Sequence, residues 1–149
     1  MNERVLLTGI TGYIGQHCAA ELLRQGYVVV GTIRSRSKAD ATKAALAKVA
    51  PTERLSFAEA DLLSDAGWSE AMNGCTFVMH VASPFAMAEP KDENELIAPA
   101  VEGTKRVIAA ARRAGVKRLV LTSSTVAMVT GKDSGKYGPD SWSDVDAEI

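Results

Sequence analysis

At 149 residues, with 46% hydrophobic and 23% charged side chains, the chain has globular composition and the length for one compact domain with a sizeable core. That excludes fibrous and disordered classes. A net charge of -1 with a pI near 6.1 gives no general attraction for nucleic acid or an anionic membrane, so neither is expected as a partner.

Met1-Asn2-Glu3-Arg4 runs directly into a short apolar segment, too brief for a signal peptide or a membrane span, which predicts a cytoplasmic chain. Val5-Leu6-Leu7 is β-like and stops at glycine; Tyr13 to Gln25 then carries Ile14, Cys18, Leu22 and Leu23 at helical spacing. Gly26 is placed as a helix C-cap, and the β-branched run Tyr27 to Ile33 reads as a fully buried strand. Ala39 to Ala50 is an Ala-rich helix ended by Pro51, followed by a strand at Leu55 to Ala60. A short helix at Trp68 to Met72 precedes the strand Thr76 to Val81. A long helix, Glu95 to Ala114, is capped by Gly115 and feeds the strand Arg118 to Thr122. The alternation predicts an α/β chain: a Rossmann-type, doubly wound parallel sheet of about five strands with four crossover helices. Residues 130–149 are polar and Gly-rich with no hydrophobic period, a loop region within a single domain spanning 1–149. Cys18 and Cys75 lack CxxC or His-rich spacing, so they read as buried small residues and no metal is expected.

The segment Thr8-Gly9-Ile10-Thr11-Gly12-Tyr13-Ile14-Gly15 lies between a strand and a helix, the context a dinucleotide phosphate loop requires. Gly9 permits the tight turn, Gly12 lets backbone approach a pyrophosphate, and Gly15 allows close helix packing. The N–H groups opening the helix, with the positive end of its dipole, would hold phosphate oxygens. The spacing is GxxGxxG rather than GxGxxG. An NAD-binding chain places an acid about twenty residues on, whereas Arg34 stands nineteen past Gly15. Residues 31–38 hold no carboxylate, so a 2′-phosphate would meet Arg34, Lys38 and the Ser35 or Ser37 hydroxyl, which predicts NADP.

Ligands of an open parallel sheet gather at strand carboxyl ends, which singles out Asp61-Leu62, Val81-Ala82-Ser83 and Thr122-Ser123-Ser124. Asp61 is suited either to accept from an adenine amino group, with Leu62 against the ring, or to cap the next turn. Small residues at Ala82 and Ser83 leave room for a ribose and diphosphate, though a tight turn before Pro84 would need the same composition.

The segments TGITGYIGQH (8–17), RSRSK (34–38), ADL (60–62), HVASPF (80–85), PAVEGT (99–104) and LTSS (121–124) resemble the extended short-chain dehydrogenase/reductase family. Within this NAD(P)-dependent epimerase/dehydratase superfamily, the likeness is to the dihydroflavonol reductase, cinnamoyl-CoA reductase and aldehyde reductase branch, over essentially the whole chain. The resemblance implies NADPH-dependent reduction of a small-molecule carbonyl, with Ser124 orienting the carbonyl oxygen. The family's proton donor is a tyrosine with a lysine four residues later; here Tyr137 is followed by Gly138, Pro139, Asp140 and Ser141, so the pattern departs. Residues 139–146 resemble the loop preceding that pair, which predicts a truncation before it, with the C-terminal substrate region absent. Ser83 to Met87 and the 125–140 loop are then the substrate-facing parts that remain, and an uncovered sheet edge predicts self-association.

His17 and His80 lack an acidic partner in the sequence and read as structural or hydrogen-bonding residues. Ser123 and Ser124 have no GxSxG elbow, against a hydrolase. Arg112, Arg113, Lys117 and Arg118 fall at a helix C-terminus, where cations favour the dipole, rather than forming a nucleic-acid site. The alternatives are a nucleotide-sugar epimerase or dehydratase, whose relatives carry an acid where Arg34 stands, and a non-catalytic NADP-binding sensor.

Overall fold

The computed structural model describes residues 3–84, 92–144 and 146. Phe85 to Met87, counted above among the substrate-facing residues, lie outside the described residues, as do Val145 and residues 147–149 of the polar stretch. In chain order the elements are β1 (Arg4–Thr8), α1 (Tyr13–Arg24), β2 (Val28–Ile33), α2 (Ala39–Leu46), β3 (Leu55–Glu59), α3 (Trp68–Met72), β4 (Phe77–His80), α4 (Asn94–Arg113), β5 (Arg118–Leu121) and α5 (Val126–Val129).

The five strands pair in parallel in the order β3-β2-β1-β4-β5, the doubly wound Rossmann-type arrangement. Each strand's period of two divides the core. Leu7, Val29, Ile33 and Leu55 pack with Ala19, Leu23 and Leu46 of α1 and α2. Leu6, Val30 and Val78 pack with Trp68 and Met72 of α3 and Val107 of α4 on the opposite face. Both faces of the central strands β1 and β2 are therefore covered, which is why these two read as continuous apolar runs rather than alternating ones. Cys75 is buried in the second cluster and Cys18 is half-buried against the first.

Helices α1 and α4 end alike. Tyr27 N donates to Leu22 O at 3.1 Å and Gly26 N to Leu23 O at 3.0 Å; Val116 N donates to Ala111 O at 3.0 Å and Gly115 N to Arg112 O at 3.2 Å. These are Schellman closures, and both glycines have positive φ (85° and 69°), as the sequence predicts. The turn returns the chain directly into β2 and β5.

Three local features differ from the sequence reading. Helix α2 stops at Leu46 instead of Ala50, because Lys48 N and Val49 N bond to carbonyls three residues back and tighten the chain out of the α ladder. Arg36–Lys38 form one 3₁₀ turn in what reads as open loop, started by Ser35, whose Oγ accepts from Ser37 N. The short α5 follows β5, and Ser143 returns to it: its N donates to Ala127 O at 2.9 Å and its Oγ to Val126 O at 2.6 Å. The described part of 130–144 has no helix or strand of its own. Among the described residues no helix is long and apolar enough to cross a membrane.

Candidate functional site

A cleft of about 520 Å³ opens along the carboxyl edge of the sheet, lined from the ends of all five strands. It straddles the point where the winding reverses between β1 and β4, the place such sheets bind ligands.

The loop after β1 supplies Gly9, Thr11, Gly12, Tyr13, Ile14 and Gly15 to the cleft. Gly9 has φ 75°, a turn closed by Gly12 N donating to Gly9 O at 3.0 Å. At Gly15 a Cβ would lie 2.0 Å from Gly9 O, so helix and loop touch backbone to backbone. A Cβ on Gly12 would meet only Gly9 O, at 3.4 Å, which leaves its outer side open to an approaching ligand. Gly12 is also the N-cap of α1 and provides no side-chain cap, and the first turn holds no acid. The opening N–H groups of a twelve-residue helix are thus left for an anion. Ile10 is fully buried below this loop and fills the space over Gly31, where a Cβ would fall 2.4 Å from Ile10 Cδ1.

Arg34, immediately after β2, lines the cleft with an exposed side chain. Arg36 instead pairs with Glu59 at 3.4 Å, while Arg34 has no carboxylate partner among the described residues. Ser35 Oγ and Ser37 Oγ lie 3.0 Å apart beside it. Lys38 ends the 3₁₀ turn and does not line the cleft.

Asp61 and Leu62 line the cleft after β3. Asp61 Oδ1 accepts from Leu63 N at 3.0 Å, so the turn-capping role is realised through one oxygen of a carboxylate that has two. Buried Trp68 braces the same loop, its Nε1 reaching Asp61 O at 3.1 Å and Ser64 O at 3.0 Å.

After β4, Val81, Ala82 and Ser83 line the cleft opposite the loop that follows β1. A Cβ on Gly9 would come within 3.0 Å of Ala82 N, so the two loops are in direct contact. Thr8 Oγ1 accepts from Val81 N and Ala82 N, each at 3.0 Å, and lies 2.7 Å from His80 Nδ1. His80 is 1% exposed, and burial lowers its pKa below the ordinary value of 6.5.

Thr122 lines the cleft after β5, whereas Ser123 and Ser124 are exposed beside it. Ser124 Oγ accepts from Val126 N at 3.2 Å, starting α5. Tyr137 is bound locally, its hydroxyl on Asp133 O and Lys132 Nζ 5.8 Å from its ring centroid. His17 packs edge-on to Tyr13 with ring centroids 4.6 Å apart. The sequence reading did not single out Ile33, Leu63 or Trp68 as cleft residues. Adjacency to Arg34 and to Asp61-Leu62 was the available signal for the first two.

The model of the NAD dependent epimerase/dehydratase family matches residues 5–143. The chain is 40% identical over 144 residues to a dihydroflavonol 4-reductase of Hordeum vulgare, covering 95% of this chain and 41% of that protein. It is 44% identical over 123 residues to cinnamoyl-CoA reductase 1 of Oryza sativa subsp. japonica, covering 82% of this chain and 34% of that one. A yeast methylglyoxal/isovaleraldehyde reductase complexed with NADPH superposes with a TM-score of 0.79 at 28% identity, over 94% of this chain and 44% of that chain. Vestitone reductase from alfalfa superposes with a TM-score of 0.75 at 33% identity, over 96% and 43%. The chain spans well under half the length of the curated relatives it matches.

Proposed function

We propose, from the premise that this chain belongs to the NAD dependent epimerase/dehydratase family, that it is the NADP(H)-binding portion of an oxidoreductase reducing a small-molecule carbonyl to an alcohol. The observation that carries the choice of cofactor is Arg34: an exposed guanidinium at the end of β2, inside the cleft, with no carboxylate partner among the described residues while Arg36 is occupied by Glu59. An NAD-selective site would present an acid there to a ribose 2′-hydroxyl, and a nucleotide-sugar epimerase or dehydratase reading would call for the same acid.

The chain's residues divide the work by strand end. The N–H groups of Tyr13, Ile14 and Gly15 would receive the pyrophosphate, and Arg34 a 2′-phosphate, with Lys38 and the Ser35 or Ser37 hydroxyl adding to the positive and donor field. Asp61, through its second oxygen, and Leu62 would receive the adenine; the backbone of Val81-Ala82-Ser83 would run beside the ribose and diphosphate, and Thr122 and Ser123 beside the nicotinamide end. When bound, the cofactor would supply hydride to the substrate carbon. Ser124 would orient the carbonyl oxygen. None of Tyr13, Tyr27 or Tyr137 has a lysine four residues on, so the proton donor is not assigned to this chain's own residues. The reading treats residues 1–149 as one domain working in the cytoplasm.

Titrating the chain with NADPH and with NADH, followed by nicotinamide fluorescence, tests the reading. NADPH is expected to bind tenfold or more tighter, about what one charge-assisted phosphate contact supplies. Equal or tighter binding of NADH overturns it.

A further inference from the structure

The loop that offers Asp61 and Leu62 to the cleft is gripped from behind by a helix that does not reach the cleft. On α4, Arg106 donates from Nε to Asp65 and from Nη1 to the carbonyl of Leu62. Its side chain is only 22% exposed although Asp65 is 90% exposed, so the guanidinium lies under the loop and not out in solvent. One turn earlier on α4, Gly103 lets the helix close up: a Cβ there would come within 3.0 Å of Leu62 Cβ and 3.4 Å of Leu62 O. Val107, next to Arg106, is fully buried in the core, so the helix cannot roll to release the fork without breaking core packing. Trp68 holds the opposite side of the same loop through Asp61 O and Ser64 O. Five consecutive residues, 61–65, are therefore pinned from two helices, and only the first three of them line the cleft.

We propose that Arg106 is a positioning residue for the adenosine end of the cleft: it holds Leu62 and Asp65 in the bound shape before ligand arrives, and so sets affinity for the adenine half of the cofactor without touching it. The inference rests on the cofactor reading above. A loop that must be ordered on binding costs affinity, whereas one held by a planar two-pronged donor does not. A lysine ammonium has a single nitrogen on a flexible stem, without the rigid fork that places Nε against Asp65 and Nη1 against the Leu62 carbonyl, so it holds the pair less well.

The test measures binding of NADPH and of adenosine 2′,5′-bisphosphate, the adenosine end alone, to the unaltered chain and to Arg106→Ala and Arg106→Lys, with amide hydrogen exchange at Leu63 and Ser64. Arg106→Ala is expected to weaken both ligands by the same factor, about tenfold, the equivalent of ordering roughly one residue. Arg106→Lys is expected between the two, and exchange at Leu63 and Ser64 should quicken in the same order. Unchanged affinity for the bisphosphate, or a loss for NADPH much larger than for the bisphosphate, overturns the proposal. If Arg106→Ala does not fold, Arg106→Lys decides alone: slower loop exchange or affinity equal to the unaltered chain counts against it. Failure of the folded, unaltered chain to bind either ligand sinks the cofactor reading itself, a result separable from the others.

Discussion

The Thr8 hydroxyl donates to His80 Nδ1 in a 2.7 Å hydrogen bond that joins the carboxyl ends of β1 and β4. The direction follows from counting. The Thr8 oxygen already accepts from Val81 N and Ala82 N, which occupies its two lone pairs, so its single hydrogen goes to the imidazole. The ring proton must then reside on Nε2, which is buried and has no partner among the described residues. One threonine side chain thereby fixes the β4 loop, Gly9's neighbour, and the tautomer of a buried histidine.

Thr8→Val removes three hydrogen bonds and leaves Val81 N, Ala82 N and His80 Nδ1 to find others. The expected loss is roughly 3 kcal/mol, the cost of stranded buried groups, against about 1 kcal/mol for Thr8→Ser, which keeps the hydroxyl and loses a buried methyl. Urea unfolding of the two variants checks this; equal losses would mean that the hydroxyl is not the source.

Acid should destabilise the chain in a defined window. Burial lowers the His80 pKa below 6.5, so between that value and the folded one the unfolded chain binds the extra proton. Stability is full above pH 6.5 and falls as the pH drops through the window. Asp65 acts lower down: Arg106 holds its carboxyl below 3.8, so its contribution is present above that value and is lost as pH falls through the folded pKa. Unfolding free energy measured from pH 8 to pH 5 should be level above pH 6.5 and fall below it in the unaltered chain, and lose much of that fall in His80→Gln. An identical slope in both would assign the effect elsewhere.

Gly12 and Gly15 are three residues apart and should respond differently to the same methyl group. Gly15→Ala drives a Cβ to 2.0 Å from a backbone oxygen, which neither side can yield cheaply, so a loss of about 3 kcal/mol is expected together with loss of ligand binding. Gly12→Ala meets nothing closer than 3.4 Å and should melt within a few degrees of the unaltered chain. On the cofactor reading its NADPH affinity should nevertheless fall, because the methyl group would stand where the pyrophosphate approaches. Thermal melts beside NADPH titrations separate the two.

The outer edge of β5 pairs with nothing among the described residues, and Val120 and Leu121 on it are 50% and 46% exposed. An open edge with apolar side chains on both faces favours strand-to-strand association. The chain is expected to self-associate, and Val120→Lys to shift it toward monomer. Light scattering that shows a clean monomer for the unaltered chain would count against this.

Much of the fold is legible in the sequence because its signals are local. The run Val28-Val29-Val30 followed by Gly31-Thr32-Ile33 is a buried strand in any context, and Gly26 and Gly115 mark helix ends by the one backbone conformation they favour. The glycine loop and Arg34 are likewise read from spacing alone, and both come together in the cleft with Asp61, Ala82 and Thr122. What is hidden depends on register. His80 looks solitary until β1 and β4 are aligned, because its partner lies 72 residues away. Arg106 gives no signal at all, since its partners stand 41 and 44 residues earlier in a loop that only tertiary packing presses against α4. The 3₁₀ turn at Arg36–Lys38 was missed for a different reason: a single turn held by Ser35 leaves no periodicity to detect.

The central position of β1 has a consequence for biosynthesis. As the chain leaves the ribosome, residues up to Glu59 can wind β1, β2 and β3 beneath α1 and α2, which completes only one face. Leu6 and Val30 on the other face have no cover until Trp68, Met72 and Val107 emerge, and β1 gains its second neighbour only when Leu6 aligns with Val78. The nascent half-sheet therefore carries a bare apolar surface for the time needed to synthesise about fifty further residues, seconds at ordinary elongation rates. During that interval the bare face is open to association with other incomplete chains, and crowded expression should send it toward inclusion bodies.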